Sequence, residues 1–492
     1  MNVLLIYANG VSEGYLPIGV AMISAVLKKA GHNVKVFDTS FYESDRVTNR
    51  EAREKYLEYR KVKGEVFQKE KHPMDVDLKR IVEEFDPGLV GVSTTSSEYP
   101  FILPFIKKLK NDFDIPMIIG GVHPTVSPEE VIKEDFIDML AIGEADDAIV
   151  ELCDKMDKKE DVTKVRNIWV KKDGEIHKNP VRPLIQDLDT LPFPDWDAFD
   201  DRQFIRPYQG KNVVQGYFAL GRGCPYACTY CVNQYLRDLN KGSKYYRFKS
   251  VDYIIKEIEA FRKKKKMDHI QFVDECLLSM PIEYIKKFVG YFKDRDIKFS
   301  FFLQTRPETI TQEKIDLLKQ LGTFGVGVGV ESGNDRIRRD ICNRRVSREQ
   351  MIKSFDLMRK NNILIVAFSI IGFPEETRKE IFETIELNKR LKPSSTAVKF
   401  LDPFDGTEIK KMCEEKGYKI KSEKEKAMYY EDPLVVMPQI SEKELKGLRK
   451  TFALYVKFPK ILWPLIRICE GENYFSNVMF KLFGKIFWMK SS

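Results

Sequence analysis

The chain has 492 residues, too many for one ordinary hydrophobic core, so two to four domains are expected. Hydrophobic residues make up 43% and charged residues 32%, the composition of a folded protein. Eight cysteines are few for this length, and Cys153, Cys276, Cys342, Cys413 and Cys469 are scattered, which argues against a disulfide framework and for a reducing compartment. The net charge of +8 is concentrated at one end: from 445 to 492 nine Lys or Arg stand against two Glu, a net of +7, with ten aromatic residues among them. Such a tail suits an anionic membrane surface or nucleic acid, or the packing of its aromatic residues on the rest of the fold. No positively charged segment precedes the apolar run 2–7, which reads as a strand and not as a signal peptide. No uninterrupted apolar run reaches the ~18 residues that a spanning helix needs.

Residues 1–165 alternate short apolar runs with helical patterns. Strands are expected at 2–7, 33–38, 88–93, 116–120 and 138–142, with a helix over 18–30 ending before Gly31. Parallel strands joined by helices make a Rossmann-like doubly wound sheet, with ligands beyond the carboxyl ends of the strands. The highly charged stretch 42–80 reads as a surface excursion. Residues 166–212 form a linker, opened by a hairpin that turns at Asp173-Gly174 and continued by a proline-rich run at 187–196.

A second α/β alternation occupies 213–404, with strands expected at 213–220, 269–273, 299–304, 325–330, 364–371 and 397–401. That makes six β-α units, fewer than the eight of a closed barrel, so a partial (β/α)6 TIM-type barrel is expected. Its chemistry belongs at the carboxyl ends of the strands. Residues 405–492 read as a mainly helical, basic region. The lysines at 263–266 read as a solvated helix end.

The run 221–231, Gly-Arg-Gly-Cys-Pro-Tyr-Ala-Cys-Thr-Tyr-Cys, follows the first strand of this second alternation. It places Cys224, Cys228 and Cys231 at C-x3-C-x2-C spacing. A [4Fe–4S] cluster normally takes four thiolates, so three leave one iron open to an exogenous ligand. Zinc also uses C-x2–4-C spacings, but it would need a fourth Cys or His nearby, and the closest histidine is His269.

This triplet resembles the signature of the radical S-adenosylmethionine (SAM) enzymes, with the aromatic Tyr230 just before the last cysteine. The resemblance extends from 213 to 407. Asp274 and Glu275 match an acidic pair after the second strand, and Arg306 matches a polar position at the end of the third. Glu331 and Ser332, after the glycine-rich run 325–329, match positions that often face SAM. Gly372, in the run 370–377, matches the backbone that packs on the adenine. SAM contacts are therefore expected at Tyr230, Asp274, Glu275, Arg306, Glu331, Ser332 and Gly372. Glycines 325, 327 and 329 are expected to let the ligand approach the backbone. Cys276, beside the expected site, is a weaker candidate, and Cys342 reads as incidental.

The N-terminal residues resemble the cobalamin-binding domain fused to one large radical SAM class. The matching pieces are Pro17-Ile18-Gly19, the run 92–95, the run 119–124 and the run 141–146. Cobalamin contacts are expected at Pro17, Ser93, Thr94, Gly120, Gly121 and His123. The D-x-H-x-x-G motif whose His ligates cobalt is absent, so His123 reads better as a structural histidine than as a cobalt ligand.

The resemblance implies three cofactors: a [4Fe–4S] cluster on Cys224, Cys228 and Cys231, SAM and cobalamin. It implies a 5′-deoxyadenosyl radical and methylation of an unactivated carbon, with ring closure, rearrangement or oxidation without methyl transfer as the alternative. Methylthiotransfer would need three more N-terminal cysteines, where only Cys153 is present. A non-catalytic cobalamin sensor would not need Glu331 or the glycine-rich strand. The implied partners are an electron donor such as ferredoxin or flavodoxin and a small-molecule, lipid or glycan-linked substrate, with nucleic acid disfavoured. A cytoplasmic location is expected, with peripheral contact at the inner membrane face through the tail.

Overall fold

The computed structural model describes residues 1–11, 17–58, 69–208, 211–421 and 432–489. The chain divides into two compact units. The first comprises 1–48, 64–214 and 235–266, and the second 49–63, 215–234 and 267–492.

In the first unit, β1 (Asn2–Tyr7), β2 (Asn33–Asp38), β3 (Leu89–Ser93), β4 (Met117–Gly120) and β5 (Met139–Ala141) pair in parallel in the order β2-β1-β3-β4-β5. β6 (Ile168–Lys172) and β7 (Glu175–Lys178) extend the sheet antiparallel. The hairpin between them turns on Asp173 and Gly174, both at positive φ (52° and 81°), the conformation that a tight two-residue turn demands. Residues of β1, β3 and β4 are almost all buried, as a sheet covered by helices on both faces requires. Those helices include α1 (Ile18–Lys29), α2 (Met74–Phe85) and α3 (Tyr99–Asp112). The strand order reverses between β1 and β3, which is the place where doubly wound sheets open a ligand crevice. The unit also contains α4 (Val251–Lys265), capped by Ser250, whose hydroxyl accepts from the Tyr253 N–H. β8 (Ile205–Tyr208) pairs antiparallel with the first part of β9 (Lys211–Phe218).

The second unit carries a curled half-barrel of six parallel strands. From the end of β9 it continues through β10 (His269–Phe272), β11 (Ser300–Thr305), β12 (Phe324–Glu331), β13 (Leu364–Ile371) and β14 (Ser395–Phe400). Val326, Val328, Ile365 and Ala367 share the helix-covered face and are buried. On the opposite face the glycine lane of β12 differs from its expected role. A Cβ on Gly325 would stand 2.9 Å from the Phe302 ring, and one on Gly327 only 2.5 Å from the Phe368 ring. The missing side chains therefore make room for this chain's own aromatic rings.

Residues 49–58, part of the stretch 42–80 expected to be a surface excursion, belong to the second unit. Glu58 accepts from the Val398 N–H on β14 (3.1 Å), and Arg449 Nε donates to the Val398 carbonyl (3.1 Å). Buried side chains thus satisfy backbone groups that the edge strand would otherwise leave open. Residues 59–68 of that excursion lie outside the described residues. Behind β13 and β14 pack α5 (Arg378–Leu391), α6 (Glu442–Lys457), α7 (Trp463–Ile468) and α8 (Tyr474–Met489). Tyr455, Phe458 and Phe483 from the basic tail are buried there, with Phe480, Phe487 and Trp488 against them. No helix among the described residues is long and apolar enough to cross a membrane.

Candidate functional site

The cysteine loop leaves β9 at its carboxyl end. Its first turn is clamped by Asp274, whose carboxylate accepts from the backbone N–H groups of Leu220 (3.0 Å) and Gly221 (2.9 Å). Asp274 follows β10, and the Val273 N–H donates to the Phe218 carbonyl (3.0 Å), so the two strand ends are tied together. Gly223, at φ 87°, turns the chain into Cys224. The Cys231 N–H donates to the Cys228 carbonyl (3.1 Å), and a helix starts at Val232.

A second segment pins the loop from outside. The Thr229 N–H donates to the Cys342 carbonyl (3.4 Å), its hydroxyl to the Ile341 carbonyl, and Asn343 Nδ2 to the Ala227 carbonyl (2.8 Å). Cys342 contributes its backbone carbonyl to this contact while its thiol is buried, which agrees with reading the cysteine side chain as incidental.

The three thiols are partly buried. Burial pushes Cys224 up to about 12 and Cys231 up to about 11, with the charge of Glu275 adding in the same direction. Two donors face the sulfurs: Asn233 Nδ2 lies 3.5 Å from Cys231 Sγ, and Arg306 Nη1 3.6 Å from Cys228 Sγ. The Arg306 guanidinium also stacks 3.8 Å over the Tyr226 ring. N–H donors aimed at sulfur stabilise thiolate, so this donor set suits an iron–sulfur cluster. Among the described residues, no three His, Cys, Asp or Glu side chains converge on a single metal ion. Thiolates that hold separate irons of one cluster need no such convergence. His269 stands at the opposite end of β10 from the loop, with Nδ1 2.8 Å from Ser300 Oγ. Burial lowers its pKa to about 4, and its position rules it out as a fourth ligand of a zinc site.

Apart from Arg306, which faces Cys228, the sequence-expected SAM residues separate into three groups. Glu275 is an exposed residue whose carboxyl lies beside the thiols, and the desolvation it meets there raises its pKa while an Asn233 hydrogen bond opposes the rise. Tyr230, Glu331 and Gly372 gather around Arg344 and Phe373. Arg344 Nη1 donates to Glu331 Oε1 (2.5 Å) and to the Tyr230 hydroxyl (3.2 Å), and Nη2 to the Gly329 carbonyl (2.8 Å). The Tyr230 and Phe373 ring centroids are 6.1 Å apart. Asp274 and Ser332 are turned to other work. Asp274 holds backbone, and the Ser332 hydroxyl lies 3.3 Å from Thr384 on α5 and accepts from the Asn334 N–H (3.2 Å).

Sequence reasoning missed Arg344 and Glu376. Glu376 is fully buried, and its Oε2 accepts from the N–H groups of Gly372 (2.6 Å) and Phe373 (3.2 Å). Burial lifts its pKa to about 8 despite those bonds. The only sequence signal was its place four residues after Gly372. Cys276, the weaker candidate, packs its thiol 3.4 Å from the Thr305 hydroxyl.

In the first unit, the expected cobalamin residues lie at the carboxyl ends of β3 and β4 and at the start of α1, which Pro17 opens. Ser93 and Gly120 are register partners, and each is half-buried where the rest of its strand is buried. Small side chains at two half-open strand ends fit the edge of a cofactor crevice. Thr94 is buried, and its N–H donates to the Gly120 carbonyl (3.0 Å). Gly121, at φ 105°, presses against the Thr94 backbone so closely that any Cβ would overlap it. His123 is fully buried, its ring 4.3 Å from that of Tyr99 and its Nδ1 3.2 Å from Ser96 Oγ. That is the surrounding of a packed histidine.

Two family models match the chain: the radical SAM superfamily over residues 218–387 and the B12 binding domain over 65–153. An uncharacterized methyltransferase of Pyrococcus horikoshii is 26% identical over 388 residues, 78% of this chain and 82% of that protein. The cytidylyl-2-hydroxyethylphosphonate methyltransferase of Streptomyces wedmorensis is 22% identical over 466 residues, 87% of this chain and 83% of that protein. Among solved structures, the radical SAM methyltransferase TsrM of Kitasatospora setae, with cobalamin and a [4Fe–4S] cluster bound, aligns with a TM-score of 0.68 at 15% identity. That alignment covers 100% of this chain and 98% of TsrM. The fold is shared at that distance. The chain is a radical SAM enzyme that carries a B12-binding domain, with a [4Fe–4S] cluster, S-adenosylmethionine and cobalamin as its cofactors.

Proposed function

We propose that this enzyme is a cobalamin-dependent radical methyltransferase that methylates an unactivated carbon of a small molecule. The observation that carries the proposal is the cysteine loop at the carboxyl end of β9, with Glu275 and Arg306 beside its sulfurs. Similarity over most of the chain to two proteins named methyltransferases supports methyl transfer over other radical outcomes.

When bound, the cluster and SAM supply a carbon-centred radical and cobalamin supplies a methyl carrier. The chain's own residues do the positioning. Cys224, Cys228 and Cys231 would hold the cluster, and the Arg306 guanidinium would balance the charge on Cys228. Glu275 would accept hydrogen bonds from the amino group or ribose of SAM. Glu376 fixes the backbone at Gly372 and Phe373, where the adenine would pack. Arg344 fixes Tyr230 and Glu331 close by, with the Tyr230 ring near that of Phe373. Ser93, Thr94, Gly120 and Gly121 would line the cobalamin crevice, and Pro17 would open its helix edge. We assign His123 to packing and not to cobalt. A strong reductant such as ferredoxin or flavodoxin would deliver the electron.

The test is anaerobic incubation of the reconstituted enzyme with SAM and a reductant. Methyl transfer predicts both S-adenosylhomocysteine and 5′-deoxyadenosine. A product mixture holding 5′-deoxyadenosine alone supports ring closure or oxidation instead.

A further inference from the structure

The basic aromatic tail is divided in two by its packing. In α8, Ser476, Phe483 and Gly484 are buried against the second unit, with Phe480 and Phe487 on the same side. The opposite side of the helix is also apolar, and it faces water. Phe475 is 61% exposed, Leu482 50%, Ile486 39% and Met489 70%, at the i, i+7, i+11 and i+14 positions of one stripe. Ile461, Leu465 and Ile468, just before the helix, are exposed as well, Ile461 to 84%. A helix apolar all round is normally covered all round. Most of the large exposed apolar side chains of the described residues lie in this one segment, which is the mark of an interaction surface.

We propose that this face of α8, with the exposed residues of 461–468, docks on an anionic lipid bilayer. The charge pattern selects that occupant. The helix Tyr474–Met489 contains no Asp or Glu, and Lys481 and Lys485 flank its exposed apolar stripe. Arg467, Lys481 and Lys485 are exposed, and none forms an ion pair among the described residues. Helices of this kind lie in the headgroup plane with their apolar side chains roughly 5–10 Å deep and their lysines reaching out to phosphate. A second copy of the chain would set these like charges against each other. Nucleic acid would be offered mostly aliphatic side chains and few rings to stack on. Lys490 falls outside the described residues and carries none of the argument.

Sedimentation of the full-length holoenzyme with vesicles is the test. We expect binding to phosphatidylglycerol-containing vesicles that weakens at least about tenfold with pure phosphatidylcholine vesicles, or when salt is raised to about 0.5 M. Leu482→Glu/Ile486→Glu should abolish binding, and Lys481→Ser/Lys485→Ser should reduce it roughly tenfold or more. Both variants should keep the iron and cobalamin content of the parent. Failure of the parent to sediment with either vesicle overturns the proposal, as does equal sedimentation of parent and Leu482→Glu/Ile486→Glu. A dimer that the same double substitution converts to monomer assigns the face to a second copy and also overturns it.

Discussion

Arg344 holds Glu331 in a buried ion pair at 2.5 Å, and the same guanidinium nitrogen reaches the Tyr230 hydroxyl at 3.2 Å. Tyr230 sits between Cys228 and Cys231, so this pair couples the cysteine loop to the end of β12. Glu331 also adopts φ 61°, a left-handed conformation that is costly for a residue with a side chain. The ion pair keeps it there.

Arg344→Met leaves the Glu331 carboxylate buried without its partner. Removing one member of a buried pair costs about 3–5 kcal/mol, so a clear fall in the denaturation midpoint is expected. Arg344→Met/Glu331→Gln should recover part of that loss, because the uncompensated charge is gone. Denaturant unfolding of the three proteins checks the order.

Glu376 gives the fold a pH dependence of unusual sign. Its folded pKa, about 8, lies above that of an unfolded glutamate, so the folded chain binds the extra proton between the two values. Stability from this group is complete below the unfolded pKa, near ~4.3, and is lost as pH rises toward 8, by at most about 1.4 kcal/mol per pH unit. Glu376→Gln keeps an oxygen that accepts from Gly372 and Phe373 but has no proton to lose. Unfolding midpoints followed from about pH 5 to about pH 8.5 should slope downward less steeply in the variant.

Two neighbouring glycines should respond differently. Gly121→Ala forces a left-handed φ and a backbone overlap with Thr94, at a cost of roughly 1–3 kcal/mol from strain alone. A Cβ on Gly120 would meet only the Ala141 Cβ, at 3.4 Å, so Gly120→Ala should fold normally. If Gly120 lines the cobalamin crevice, that well-folded variant should still retain less cobalamin per chain, read from its visible absorbance.

Ser332→Ala should separate packing from ligand contact. Its hydroxyl serves Asn334 and Thr384, so the substitution should cost about 1–2 kcal/mol of stability and leave the KM for SAM within about twofold. Glu275→Gln should do the reverse, raising that KM with little loss of stability.

The strands, their parallel pairing through intervening helices and the position of the cysteine loop were legible because periodicity and turn chemistry are local. The pairing partners were not. Asp274 and Glu275 are adjacent and chemically alike, yet one clamps backbone while the other sits beside the thiols, and only the tertiary path of the loop distinguishes them. Arg344 lies thirteen residues beyond Glu331 across a turn of π-helix, a separation with no pattern to betray it. The glycines of β12 were visible as glycines, but that Phe302 and Phe368 occupy their space depends on register between strands.

Metal and sulfide analysis of anaerobically reconstituted protein, followed by electron paramagnetic resonance of the reduced form with and without SAM, is the most direct test. About four irons and four sulfides per chain are predicted, with a spectrum that changes when SAM binds the open iron. Cys228→Ala should lose that spectrum and SAM cleavage while keeping cobalamin. Zinc without inorganic sulfide, or SAM cleavage that survives the loss of Cys228, would contradict the assignment.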